Sequence, residues 1–427
     1  MQKVWKRKAD IVKRAKQDRG RRTAFQTAFW LSSLLIFLLS GLTGCAGGQK
    51  EREQELAPER EKLVVWSYYE VEAQRESLNR LMADFNAAQQ QYEARWEYVP
   101  MTEFNKRLAI GVTEEDMPDI VIIDNPDMED YVRMGLFEDI TDYVKEWDSL
   151  EDYYPQTLET VRMDGRYYGI PFCCNNLALF YNRDLLEQKG AKIPEDWESF
   201  YRTAKLLSDA DTYGFAMSAV EGEQAAFQVL PWILAQGSGK KDFTTEEAAA
   251  AFAKIQELTA TGLLDPNCIN WSQNDVARKF IAGEAAMMEN GPWILPMLEE
   301  AGVAYGIAEL PFGQECHTIT GGENLGVLKG KNVEGAVALL RYYSRDEVMS
   351  QVCRDTNVLP PRRSLAKELA QEKSVLSIFE RQMEEAVPRT AIDGWNSRKK
   401  ALPTALYDVI TMSKTPQQAA EDIGKET

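Results

Sequence analysis

The chain has 427 residues, 44% of them hydrophobic and 27% charged, with a formal net charge of −18. Such proportions belong to a globular protein of two domains or one large two-lobed one, and they exclude collagen, coiled coil and wholesale disorder. The charge is unevenly placed: residues 1–22 carry ten Lys/Arg against two Asp, whereas residues 23–427 carry 39 against 65, so the body lacks the basic footprint of a nucleic-acid binder.

Residues 23–45 (TAFQTAFWLSSLLIFLLSGLTGC) contain no charge. A cationic start, an apolar stretch and then small residues form the order of a secretory signal. The run Leu42-Thr43-Gly44-Cys45 resembles the bacterial lipobox, which implies a diacylglyceryl group on the Cys45 thiol and cleavage just before it. An uncleaved transmembrane helix is the alternative, since 18 or more uncharged, mostly apolar residues span a bilayer. Either way the body is expected outside the cytoplasm and held at a membrane, two acyl chains holding where one is marginal. Residues 46–62 are polar, charged and aperiodic, as a tether is.

From Leu63 onward, strands and helices alternate. LVVW (63–66) reads as a strand buried on both faces. Leu78, Leu81, Met82 and Phe85 recur at helical spacing within 72–91. Tyr92 to Tyr98 alternates with period two, and a further helix leads to the strand DIVIID (119–124). That βαβαβ order predicts a parallel sheet covered by helices. LALFYN (177–182) reads as another strand, and helices are expected near 196–208, 246–261, 273–283, 333–344, 365–386 and 401–412. The segment Gly169-Ile170-Pro171-Phe172 is the expected first crossing between two lobes.

His317 is the single histidine, which excludes a His-rich metal site and leaves a Ser-His-Asp triad one possible base. The six cysteines, at 45, 173, 174, 268, 316 and 353, contain no Cys-x-x-Cys pair. With Cys45 set aside, five remain, so no complete disulfide framework is implied. A disulfide between the adjacent Cys173 and Cys174 would be strained, and two buried thiols are expected there instead.

Several stretches together resemble the extracellular solute-binding proteins of ABC importers, in their maltose-binding-protein-like, sugar-binding branch. They are LVVW (63–66), DMPDIVIIDNPDMEDYVRMGLFEDITDYV (116–144), DGRYYGIPFCCNNLALFYNRDLL (164–186) and IPEDWESF (193–200). KFIAGEAAMMENGPW (279–293) is the most specific, and GGENLGV (321–327), VLPPRRS (358–364) and SKTPQQAAEDI (413–423) complete the set. The resemblance implies an α/β, two-lobed, periplasmic-binding-protein-like clamshell. Each lobe would be a mixed, mostly parallel sheet flanked by helices, with several interlobe crossings. Residues 63–172 and 327–356 would form the N-terminal lobe, and residues 173–326 and 357–427 the C-terminal lobe. A carbohydrate would bind between them with no cofactor and no catalytic residue, and the closed form, expected to be a monomer, would dock on ABC transporter permease subunits.

A sugar site needs planar hydrogen-bonding side chains around the rim and aromatic faces over the ring. Trp293, in Asn-Gly-Pro-Trp, matches a family aromatic that lies under the sugar; the competing reading is a core tryptophan at a turn. Trp271 and Trp395 occupy places where relatives carry contacting aromatics, and Asn175 one where they carry a carboxylate or amide. Open α/β sheets bind ligands at strand ends, which adds Tyr68, Tyr69 and Glu70 after the first strand and Asp124 and Asn125 after DIVIID. Glu323 and Asn324 follow a Gly-Gly turn at the expected second crossing. For each polar residue the competing reading is a solvated loop. Trp232, Trp197 and Trp66 read as structural.

The same fold accommodates a polyamine or amino-acid derivative, with Glu70, Asp124 and Glu323 as carboxylates facing a cation. A surface glycosidase is a third reading. It needs two carboxylates at a fixed separation, about 5–5.5 Å or 6.5–9.5 Å, and no local motif here marks such a pair.

Overall fold

The computed structural model describes residues 59–111, 117–237, 243–313 and 318–425. The signal, Cys45, most of the tether, Cys316 and His317 lie outside the described residues. In chain order the strands are β1 (Glu61–Ser67), β2 (Tyr92–Tyr98), β3 (Ile120–Asp124), β4 (Arg162–Met163), β5 (Arg166–Tyr167) and β6 (Gly169–Pro171). They continue as β7 (Ala178–Asn182), β8 (Met287–Asn290), β9 (Tyr305–Ala308), β10 (Ile319–Thr320), β11 (Glu323–Val327) and β12 (Val387–Pro388).

The first sheet has the order β2-β1-β3-β11-β6. Strand β1 runs parallel to both β2 and β3, and the helices Glu72–Ala88 and Met101–Gly111 supply the crossovers that parallel neighbours require. Strand β11, inserted between β3 and the edge strand β6, is antiparallel to both. The second sheet, β8-β7-β9, pairs antiparallel throughout its named strands, and parallel bridges Tyr213–Ala285 and Ala216–Met288 extend it beyond β8. Pairing is thus less parallel than strand–helix alternation predicts. The strands that differ are those reached after long excursions through the other lobe or a run of helices, where no crossover helix fixes direction.

Period-two burial divides the interior into layers. Along β3, Ile120 and Ile122 join one core while Val121 and Ile123 join the core on the opposite face. Along β7, Ala178 and Phe180 likewise face that first core, whereas Leu179 and Tyr181 pack among the second lobe's helices. Between the sheets three crossing segments lie side by side. Cys174 exchanges both backbone hydrogen bonds with Leu359, at 2.9 and 3.0 Å, and Asn175 does the same with Gly321, at 3.1 and 2.8 Å. Cys173, Cys174, Cys268 and Cys353 are free and buried.

Two expected helices differ in extent. The run 365–386 is broken into Arg363–Glu372 and Ser377–Met383 around a 3-10 turn, Ser374–Leu376. Lys373 leaves the helical region there (φ −111°, ψ 87°) and its Nζ donates to the Arg354 carbonyl and to Asn357 Oδ1 at 2.9 and 2.6 Å. The last long helix begins at Trp395, earlier than the apolar spacing suggested, because Gly394 in the left-handed region (φ 67°) starts it.

Trp232 is fully buried, lies flat against Phe312 with ring centres 3.6 Å apart, and donates from Nε1 to Glu289 Oε2 at 2.8 Å. The other oxygen, Glu289 Oε1, is buried without a partner. Burial pushes this carboxyl well above its ordinary 4.5, and the Trp232 bond only partly opposes that. A folded state that keeps a proton the unfolded chain releases is fully favoured below about pH 4.5. It then loses about 1.4 kcal/mol of stability per pH unit until the folded group itself titrates. Glu289→Gln is therefore expected to flatten the fall of stability between pH 5 and 7, read by denaturant unfolding across that range. An unchanged slope would show that Glu289 does not hold the proton.

Candidate functional site

A cleft of about 320 Å³ opens at the carboxyl ends of β1 and β3, where open α/β sheets gather ligands. Tyr68, Tyr69 and Glu70 enter it from the end of β1, Asp124 from β3, Asn175 from the first crossing, and Glu323 from the second. The opposite wall is built by two helix starts and one loop. Gly222, at φ 111°, begins the helix Glu223–Leu234 and brings Glu223, Gln224 and Phe227 to the cleft. Ser272 caps the helix Gln273–Ile281, its hydroxyl accepting from Asp275 N at 3.2 Å while Asp275 Oδ2 accepts from Ser272 N at 3.0 Å. That reciprocal cap fixes Gln273 and Asn274 in the first turn, on the cleft wall.

Trp293 is held by its own loop. Asn290 Nδ2 donates to the Gln273 carbonyl at 2.9 Å, and its Oδ1 accepts from Gly291 N at 3.0 Å. The indole lies so close over Gly291 that a Cβ there would stand 1.8 Å from the ring. Phe227 faces it at 6.3 Å between ring centres.

Two buried ionic clusters form the floor. Glu323 accepts from Tyr68 Oη at 3.1 Å through Oε1, and from Tyr69 Oη at 3.2 Å and Cys173 Sγ at 2.8 Å through Oε2. Burial pushes this carboxyl up to about 6; the Cys173 thiol opposes the push, Asp124 adds to it, and the two phenols oppose it. Gly322 precedes it at φ 124°, and a Cβ there would stand 2.2 Å from the Cys173 carbonyl oxygen, so only glycine fits.

The second cluster centres on Arg389, 3% exposed. Its fork grips Asp124 through both oxygens, at 2.7 and 3.0 Å, and reaches Glu223 Oε1 at 2.7 Å and Asn125 Oδ1 at 3.1 Å. The guanidinium also lies 4.5 Å from the centre of the Phe227 ring. Burial pushes the Glu223 carboxyl up to about 8 against the pull of Arg389. Beside this cluster, Lys399 Nζ meets Asp130 at 2.6 Å and Asp127 at 3.6 Å.

Of the residues singled out from sequence, Tyr68, Tyr69, Glu70, Asp124, Asn175, Trp293 and Glu323 line the cleft together. Four stand elsewhere. Asn125 is buried behind the wall, supporting Arg389. Asn324 neighbours Glu323 on a strand, so it points to the other face; there its Nδ2 donates to Thr160 Oγ1 at 3.0 Å. Trp271 is only partly buried, its ring 5.2 Å from Lys279 Nζ, while the next residue, Ser272, takes the cleft position. Trp395 packs inside the second lobe's core, 5% exposed. Sequence reasoning missed Arg389, Glu223, Gln224, Phe227, Gln273 and Asn274. For the helix-start residues a signal existed, Ser272 with Asp275 three residues on.

The sequence model of the bacterial extracellular solute-binding proteins matches residues 80–375. A galactooligosaccharide-binding protein of Bacillus subtilis is 26% identical over 320 residues, 71% of this chain and 75% of that one. A maltodextrin-binding protein of the same organism is 25% identical over 299 residues, 62% and 67% of the two chains. Among solved structures, the GacH receptor of Streptomyces glaucescens superposes with a TM-score of 0.76 at 22% identity, over 86% of this chain and 97% of that one. An ABC transporter solute-binding protein of Thermotoga lettingae, bound with alpha-D-tagatose, gives 0.78 at 20% identity, over 86% and 99%. At those identities the structural likeness establishes the two-lobed fold.

Proposed function

This chain belongs to the bacterial extracellular solute-binding protein family, and we propose that it is the carbohydrate-binding subunit of an ABC importer. It captures a mono- or oligosaccharide between its lobes and delivers it to a membrane permease. The lobes that close are residues 63–172 with 323–356, and residues 173–322 with 357–427; the expected boundary at 327 moves to 323 because β11 pairs along its whole length in the first sheet. One observation carries the ligand class: the buried carboxylates of the cleft already accept from donors of its own wall. Asp124 and Glu223 are taken by Arg389, and Glu323 by two phenols and a thiol. Apart from the exposed Glu70, what remains for a solute is neutral: the amides of Asn175, Gln273 and Asn274, hydroxyl groups, and the aromatic faces of Trp293 and Phe227. That set suits an uncharged, hydroxylated ring. A polyamine would want an unengaged buried carboxylate, and Glu70, the remaining acid, is exposed near Arg278, 3.8 Å away. The sugars named for the Bacillus relatives support the same class.

The mode of action is binding, not bond cleavage, since the buried carboxylates of the cleft are bound to the protein's own donors. Incubated with an oligosaccharide it binds, the protein is expected to return it intact. Closure signals occupancy only if the sugar favours the closed state over the open one. The test is a thermal-shift screen of residues 46–427 against mono- and oligosaccharides, polyamines and amino acids. A ligand that binds only the folded chain adds about 2.7 kcal/mol at a hundredfold excess over Kd. A rise with sugars is expected; a rise with polyamines alone would overturn the ligand class.

The anchor belongs to this proposal too. Cys45→Ala, placed in the Leu-Thr-Gly-Cys run, is expected to remain unprocessed and to lose all lipid labelling in cells fed a labelled fatty acid. Labelling at the wild-type level would remove the lipoprotein assignment.

A further inference from the structure

We propose that Glu323 sets the hydrogen-bond polarity of the cleft floor: by taking the protons of Tyr68 and Tyr69 it leaves both phenol oxygens as acceptors, which select ligand groups that donate. The proposal rests on the cleft being the solute site and specifies what that site reads. A phenol carries one proton and accepts through the remaining lone pairs, and an ionised carboxylate only accepts. Because Tyr68 and Tyr69 both donate to Glu323, neither has a proton left for a solute, and both line the cleft.

The arrangement is fixed from several sides. The Glu323 carbonyl accepts from the backbone of Phe172 at 2.7 Å and of Cys173 at 3.3 Å, and its Cα stands opposite Asp124 in the sheet. The Tyr68 ring meets Phe104 edge-on at 5.3 Å and Tyr69 at 6.1 Å. Asp124 adds to the push on the Glu323 carboxyl even while paired with Arg389, and the three donors around Glu323 oppose that push and hold it as an acceptor. Glu323 is a positioning residue, acting on the solute through the two tyrosines.

Donor reading has a distinctive chemical consequence. A sugar hydroxyl satisfies such an oxygen, a deoxy position does not, and a fluorine presents a lone pair to a lone pair. Glu323→Gln offers an amide that donates as well as accepts. One phenol must then accept from it and turn its own O–H toward the cavity, where fluorine is tolerated.

The experiment has two arms on the folded body. In the first, without ligand, Tyr ring 13Cζ resonances are compared between wild type and Glu323→Gln, assigned with Tyr68→Phe and Tyr69→Phe. Both resonances are expected to move, and resonances that stay put would overturn the proton placement. In the second, maltose, a galactobiose and their monodeoxy and monofluoro forms are titrated calorimetrically. Wild type is expected to lose at least tenfold in affinity for both modifications at the position read, and Glu323→Gln to regain about tenfold for the fluoro form alone. Wild type binding a complete fluoro series as tightly as the parent sugar would overturn donor reading. If no sugar binds while the resonances still shift, the sugar assignment fails and the proton placement stands. Should Glu323→Gln not fold, the wild-type fluoro and deoxy series decides alone.

Discussion

Arg389→Ala is expected to destabilise the folded chain by about 3–5 kcal/mol, the usual consequence of removing one partner from a buried ion pair. Among the described residues that line the cleft, the guanidinium is the one cation, and it bridges Asp124 and Glu223. Without it Asp124 is left facing a Glu223 carboxyl that burial already pushes up to about 8, and Asn125 Oδ1 loses its donor as well. The deficit should narrow in acid, which neutralises the stranded carboxyls. It should also narrow when charge is removed by design, in the triple variant Arg389→Met, Asp124→Asn, Glu223→Gln. Urea unfolding at pH 5 and pH 8 checks both. A loss under about 1 kcal/mol at pH 8 would mean that water already satisfies these carboxylates and that the cluster is a surface feature. The triple variant adds a functional readout: it restores stability and changes the charge pattern of the wall, so any remaining defect in sugar binding belongs to recognition.

The difference between what was legible and what was not follows from how local each signal is. Strands β1, β2, β3 and β7 announce themselves because each buries residues at period two or on both faces within five to seven positions. The helix Glu72–Ala88 does so through Leu78, Leu81, Met82 and Phe85, all buried. Tyr68, Asp124 and Glu323 were found because strand ends are where such a fold places ligands. Asn324 was misplaced by the same reasoning, since the turn that recommends Glu323 recommends its neighbour, and only the pleat sends one inward and the other away. Arg389 left no signal at all. It follows Val387 and Pro388 in a two-residue strand, and its partners Asp124 and Glu223 lie 265 and 166 positions away in sequence. No pattern of a few residues encodes a contact of that range. Trp395 shows the converse: it occupies a place where relatives carry a contacting aromatic, whereas here Gly394 starts a helix and the indole fills a core.

Trp293→Ala is expected to weaken binding of a cognate sugar by about 2 kcal/mol, close to a thirtyfold rise in Kd, as an apolar platform is lost from beneath the ring. The side chain is half-buried and lines the cleft opposite Phe227, so its removal opens the site more than it disturbs the core. Folding should therefore survive, with a thermal midpoint near that of wild type. Gly291→Ala supplies the sharper test. Its added methyl would stand 1.8 Å from the indole, so the ring must swing aside even though none of it is deleted. If the ring acts as a platform in one orientation, the two variants should show similar losses. The double variant should then lose no more than Trp293→Ala alone, the non-additivity of a shared mechanism. Calorimetric titration of all three variants measures the coupling. Additive losses would separate the glycine from the tryptophan, and unchanged affinity in Trp293→Ala would return the indole to a structural role at the turn.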